Sequence, residues 1–264
     1  MHEDRLKSLI EVLKGMESAL LAYSGGVDST FLLKALKLSG IRALAVTGCS
    51  ETTPSRDMDD ARRMAGEIGV EHRLIETSEL ENGDFSKNSP DRCFYCKDGL
   101  FSRMRAIAQK EGLAHVLDGS NFDDLDDYRP GREAAAKHGV RSPLMEAGFT
   151  KKEIREASRA LGLSTWDKPS SPCLSSRFAY GRSITLEGLR RVAEAEEFLR
   201  SLGLEDLRVR DHGELARVEV PEKSIDSIMR AREAVVGKLR ALGYAFVCLD
   251  LEGLRSGSMN RLLR

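Results

Sequence analysis

An apolar run, Ala19-Leu20-Leu21-Ala22-Tyr23, stops at Ser24-Gly25-Gly26-Val27-Asp28-Ser29 and gives way at once to the amphipathic Thr30-Phe31-Leu32-Leu33-Lys34-Ala35-Leu36. A short apolar run that passes through two glycines into helical spacing predicts strand, tight turn and helix. The glycines let the backbone turn sharply and bring its amides close to a ligand. The new helix directs unpaired N–H groups and the positive end of its dipole at the same place, which makes the turn a phosphate cradle. Ser24 and Ser29 add hydroxyls, and Asp28 adds a carboxylate suited to a phosphate-bound Mg²⁺. The alternative reading of these residues is a Gly-Gly turn before a capped helix. No GxxxxGK[ST] occurs in the chain, so this is not the Walker-type loop.

Ser24 to Ser29 resembles the SGGxDS signature of the ATP pyrophosphatase (PP-loop) superfamily. The resemblance implies an adenine nucleotide alpha hydrolase-like domain. It also implies cleavage of ATP between its α- and β-phosphates, adenylation of a substrate oxygen and displacement of AMP by a nucleophile. The signature alone leaves open whether that nucleophile is ammonia, an amine or sulfur.

Around this unit the chain alternates. Leu6, Leu9, Ile10 and Leu13 give a helix ahead of the first strand, and Ile41–Thr47 and His72–Glu76 read as strands flanking a helix over 55–68. Residues 77–92 read as a polar loop, followed by a helix from about Asp98 to Lys110 and a fourth strand, Ala114–Asp118. Such a series predicts a doubly wound parallel sheet with ligands at the carboxyl ends of its strands. Gly119, Asn121 and Asp123 follow the fourth strand and so belong beside the cradle, with a solvated acidic loop as the other reading. Val140–Leu144 reads as the edge of a fifth strand, and Thr150 with Glu153 as a capping box. Beyond the Pro169–Pro172 stretch the order is helix, two short strands, helix, strand, with the second helix spanning 222–242. The expected division is a PP-loop domain over 1–180 and a smaller C-terminal α/β domain over 181–264.

Composition limits the partners. The 264 residues carry 41 basic and 42 acidic side chains, a net charge of -1, which predicts no bulk attraction to nucleic acid or to an anionic membrane. No apolar stretch approaches the ~20 residues of a membrane span, and Met1-His2-Glu3-Asp4-Arg5 lacks a signal pattern, which points to the cytoplasm. Five cysteines at uneven spacings do not suggest a disulfide framework.

Cys93-x-x-Cys96 can grip one metal centre, and the loop-borne Cys173 can supply a third thiolate, leaving one iron of a cluster open. A CxxC redox pair, a zinc site lacking a placed fourth ligand, and buried thiols are the other readings. Cys49 and Cys248 read as packing residues.

A second resemblance covers nearly the whole chain. Pro143–Arg155, Lys168–Arg177, Arg208–Gly213 with Ala216–Val220, and Gly253–Asn260 are similar to blocks of the LarE family, the ATP-dependent sulfur transferases of nickel-pincer cofactor synthesis. It implies adenylation of the two carboxylates of a pyridinium mononucleotide and their conversion to thiocarboxylates, in a homo-oligomer. Cys173 matches the sulfur-bearing cysteine, which is sacrificial in single-cysteine members. Cys93 and Cys96 instead resemble the additional ligands of members holding a [4Fe-4S] cluster on three thiolates, with sulfide or another sulfur donor feeding the open iron. Arg208 and Arg210, two apart on a strand, share a face suited to a substrate phosphate or carboxylate, with a solvated strand face as the other reading. Glu196 matches a family acidic position, although Glu194 and Glu197 beside it make a solvated face the competing reading. Lys97, Arg129 and Arg177 flank the site as phosphate-neutralising cations or as surface charge. A tRNA thiolase and single-turnover transfer from Cys173 remain the rival functions.

Overall fold

The computed structural model describes residues 2–125, 130–255, 258 and 261. They form two compact units, one of residues 1–79 and 93–171, the other of 80–92 and 172–264.

The first unit is built on four parallel strands. The chain runs α1 (His2–Lys14), β1 (Ser18–Ala22), α2 (Val27–Ser39), β2 (Arg42–Cys49), α3 (Ser55–Ile68) and β3 (Glu71–Glu76). After a short helix in the second unit, α4 (Gly83–Ser86), it returns as α5 (Arg92–Glu111), β4 (His115–Leu117), α6 (Gly131–Lys137), α7 (Pro143–Glu146) and α8 (Lys151–Ala160). The sheet order is β3-β2-β1-β4, all parallel.

Alternation along β1 sorts the core. Ala19 and Leu21 pack with α1, α2, α3 and α8 through Leu9, Phe31, Ala61 and Ile154, while Leu20 packs on the opposite face with α5 and α6 through Phe101, Met104 and Ala134. Helices therefore cover both faces, which is why β1 is apolar from Ala19 onward. Because β2 and β4 flank β1 on opposite sides, the chain reverses direction across the sheet at β1, and the loops after β1 and β4 open at that switch point.

Three local readings change. Helix α5 begins at Arg92, so Cys93 and Cys96 lie inside its first turns, not in the loop before it. Val140–Leu144 adds only an isolated bridge, Leu117 to Arg141, because Pro143 opens α7. Residues 77–92 are no solvated loop: Phe85 and Asn88 are buried, and the Asn88 Nδ2 donates to the carbonyls of Ala179 at 2.8 Å and Arg182 at 3.0 Å.

The second unit contains a 3₁₀ turn (Leu174–Arg177), α9 (Leu186–Ser201), β5 (Arg208–Asp211), β6 (Leu215–Glu219), α10 (Ile225–Arg230), α11 (Arg232–Ala241) and β7 (Phe246–Leu249). β5 and β6 form an antiparallel hairpin and β7 joins β6 in parallel. The long helix expected over 222–242 breaks at Ala231, between α10 and α11. Val209, Ala216 and Val218 face α9 and α11 through Leu199, Val235 and Leu239. Arg208, Arg210, Arg217, Glu219 and Cys248 occupy the other face by register, and Cys248 is exposed there, not packed.

Candidate functional site

The loop after β1 is fixed from both sides. Tyr23 is buried, its N–H donates to Val46 O at 2.9 Å, its hydroxyl meets Thr30 Oγ1 at 3.3 Å, and burial pushes its pKa up to about 12. Gly25 has φ +68°, and a Cβ there would sit 2.9 Å from the Ala61 Cα of α3. Both its conformation and its packing against α3 therefore exclude a side chain. Gly26 then caps α2 without a side-chain cap, leaving the first-turn amides to a ligand. Ser24 and Ser29 close the loop, their hydroxyls 3.0 Å apart.

The loop after β4 meets this turn. A Cβ on Gly119 would lie 3.0 Å from the Ser29 N, so the two loops approach backbone to backbone. Asn121 is buried, and its Oδ1 accepts from the Asp123 N–H at 3.0 Å. Asp123 in turn accepts from the Lys151 N–H at 2.8 Å, while Lys151 Nζ reaches Asp28 Oδ2 at 2.6 Å. The other Asp28 oxygen, Oδ1, is buried with no hydrogen-bond partner among the described residues. A buried, unsatisfied carboxylate oxygen beside open helix amides suits a hard divalent cation that bridges to phosphate. Lys151 is a member of the site that the sequence reading overlooked. The signal for it was the capping box, which sets Lys151 at the first position of α8.

Around the cysteines the first unit contributes Cys93, exposed, and Cys96, half-buried and 3.9 Å from Glu79 Oε1. No disulfide involves any of the five cysteines. Lys97, one residue on, lies with its Nζ 5.3 Å from the centre of the Phe101 ring. Arg129 lies outside the described residues. Among the described residues no three His, Cys, Asp or Glu side chains converge on a metal position.

In the second unit Cys173 is half-buried, in extended conformation at the start of the 3₁₀ turn. Arg177 and Glu196, expected at the site with a solvated surface as the competing reading, are fully buried and paired with each other. Burial alone would raise the Glu196 carboxyl. The hydrogen bonds and charge of Arg177, the Val209 amide and the charge of Arg200 outweigh burial and hold it below the ordinary glutamate value.

Arg210 is also buried, with Nε and Nη2 both on Glu219 Oε2 at 3.0 and 2.7 Å, and Nη1 on the Ser176 carbonyl at 2.9 Å. Glu219, which no motif picked out, is fully buried and also accepts from Arg217 at 3.1 Å. The two-residue alternation of the hairpin was the available signal, since it sets Glu219 opposite Arg208. Burial, then the positive charges of Arg177, Arg210 and Arg200, lower Arg208 to about 10 against the opposing pull of Glu196. It stays charged at neutral pH, in a neighbourhood that favours an added anion.

No family model matches the chain. An uncharacterized protein of Synechocystis sp. is 43% identical over 100% of the chain and 99% of its own length. A tRNA-specific 2-thiouridylase of Heliobacterium modesticaldum is 27% identical over 59% of the chain and 50% of its length. The pyridinium-3,5-bisthiocarboxylic acid mononucleotide synthase of Lactiplantibacillus plantarum is 40% identical over 97% of the chain and 94% of its length. With strand, turn and helix in place around Ser24–Ser29 and that likeness running from end to end, the chain belongs to the pyridinium-3,5-bisthiocarboxylic acid mononucleotide synthase family of enzymes.

Proposed function

We propose that this protein is an ATP-dependent sulfur transferase that adenylates the carboxylates of pyridinium-3,5-biscarboxylic acid mononucleotide and converts them to thiocarboxylates. The full-length 40% identity to a synthase of the bisthiocarboxylic product carries this reading. In it the first unit is an adenine nucleotide alpha hydrolase-like domain. The smaller C-terminal domain, over about 181–264, contributes substrate and oligomer contacts in a cytoplasmic homo-oligomer.

The residues of the first unit support the activation step. The α2 amides and the Ser24 and Ser29 hydroxyls hold the ATP phosphates, and Asp28 would hold a Mg²⁺ that would offset charge on the departing pyrophosphate. Lys151 orients Asp28 through the 2.6 Å ion pair. A substrate carboxylate oxygen then bonds to the α-phosphorus as the bond to pyrophosphate breaks, turning a poor leaving group into AMP.

For the second step the donor set fits a cluster in kind: three thiols, two of them one helical turn apart on α5. Cys93, Cys96 and Cys173 would hold a [4Fe-4S] cluster that would supply sulfide-level sulfur; the C–S bond to the activated carboxyl carbon forms as its C–O bond to AMP breaks and AMP leaves. Arg208 holds an anionic group of the substrate, with Arg210 locked beside it on Glu219 and the Ser176 carbonyl and adding its charge. The thiolase alternative rests on a match spanning only 59% of the chain.

Anaerobic reconstitution with iron and sulfide, followed by assay with ATP and the pyridinium biscarboxylate, tests this. Several thiocarboxylates formed per chain by wild type, and not by Cys93→Ala, are expected. One turnover per chain with Cys173 lighter by one H₂S would replace the cluster with sacrifice of the cysteine. ATP-dependent thiolation of tRNA in place of the pyridinium would overturn the acceptor.

A further inference from the structure

In the second unit a cavity of about 180 Å³ is lined by Arg217, Arg255, Arg261, His212, Asp250 and Glu252. Its charges do not cancel. Glu252 pairs with Arg261, and Asp250 lies 3.6 Å from Arg217. Arg255 donates from Nε to the Glu252 carbonyl oxygen at 3.1 Å, and its terminal nitrogens meet no acidic group among the described residues. His212 has a buried Nε2 with no hydrogen-bond partner among them either. The unused guanidinium donors of Arg255 at a polar hollow, with one cation in excess, are the chemistry that recognises a compact polyanion.

The cavity has a defined floor. At Gly253 the φ is +73°, and a Cβ would stand 2.9 Å from the Val220 carbonyl oxygen, so the chain closes tightly over the end of β6. Ser258, which also lines the cavity, donates from Oγ to Glu219 at 3.1 Å and accepts from Arg210 at 3.1 Å. Arg210 donates to the carbonyl of Ser176, whose own N–H donates to the Cys173 carbonyl at 3.0 Å. A short chain of hydrogen bonds thus runs from the cavity wall to the sulfur-bearing turn.

We propose that this cavity binds a phosphate monoester dianion, that of the mononucleotide substrate, with Arg255 as its principal contact. The assignment rests on the sulfur-transfer reading for the identity of the substrate, and on the cavity for the phosphate. Arg208 is then left to the carboxylate end.

Calorimetric titration of the full chain tests it with three probes: a pyridinium-3-carboxylate mononucleotide, the same nucleoside without its phosphate, and inorganic phosphate. The mononucleotide is expected to bind at least ~10-fold more tightly than the nucleoside. Arg255→Gln, at an exposed position that leaves the fold intact, should remove that advantage, and Arg255→Lys should restore part of it. Equal affinity of wild type and Arg255→Gln for the mononucleotide overturns the proposal, as does inorganic phosphate binding as tightly as the mononucleotide. Should wild type release no pyrophosphate with any acceptor while phosphate-selective binding persists, the sulfur-transfer reading fails and the phosphate site stands.

Discussion

Arg177 meets Glu196 with two parallel hydrogen bonds, Nε to Oε1 at 2.8 Å and Nη2 to Oε2 at 2.9 Å, with both side chains 1% exposed. The third nitrogen, Nη1, donates to the carbonyls of Pro172 and Cys173 at 2.7 and 3.2 Å. Glu196 is therefore a positioning residue. It holds the guanidinium that fixes the backbone at Pro172 and Cys173.

Removing one partner strands a buried charge. Glu196→Ala should cost about 3–5 kcal/mol, read as a lower urea midpoint. The pH dependence has a definite sign. Because the Glu196 carboxyl is held below its ordinary value, its contribution is complete above the unfolded value of 4.5 and is lost as pH falls through the folded one. Glu196→Gln should flatten the acid limb of the stability profile, and an unchanged limb would mean that the pair is not sensed in folding.

Arg208 works in the opposite direction. Its folded value of about 10 lies below the ordinary 12.5, so its charge opposes the fold at neutral pH, an effect that starts to fade as pH rises past about 10 and is gone only above 12.5. Arg208→Gln should raise the thermal midpoint slightly while increasing KM for the pyridinium substrate. A lower midpoint would show that the charge is already compensated.

Gly25→Ala forces a Cβ against α3 in a left-handed backbone. A loss of at least ~1–3 kcal/mol is expected, together with loss of ATP binding by calorimetry. Retained nanomolar-to-micromolar affinity would show that the cradle tolerates displacement.

Lys151 is 38% exposed at its side chain, so Lys151→Met should unfold little. ATP-dependent pyrophosphate release should nevertheless fall at least ~10-fold, in kcat more than in KM, because Asp28 loses the cation that orients it. A change confined to KM would place Lys151 on the bound nucleotide alone.

The parallel sheet was legible because β1, buried on both faces, leaves an unbroken apolar run, and because Gly25 and Gly26 mark the turn that follows. The hairpin of β5 and β6 was legible in its spacing. Burial of Arg177, Glu196 and Glu219 was not, since an internal ion pair and a solvated helix face use the same residue types and only tertiary packing separates them. Cys93-Phe94-Tyr95-Cys96 hid the start of α5 because none of these is a strong helix former, and packing supplied what propensity lacks.

Asn88 sets an order of events. It is fully buried at φ +57°, and its amide holds carbonyls as far as 94 residues downstream. The segment carrying it is translated long before the residues it organises, so it must wait on the ribosome, uncommitted, while residues 93–171 emerge. A gene fragment beginning at Pro172 would encode a unit without its keystone. Supplying residues 80–92 as a separate peptide would be the way to make that fragment fold.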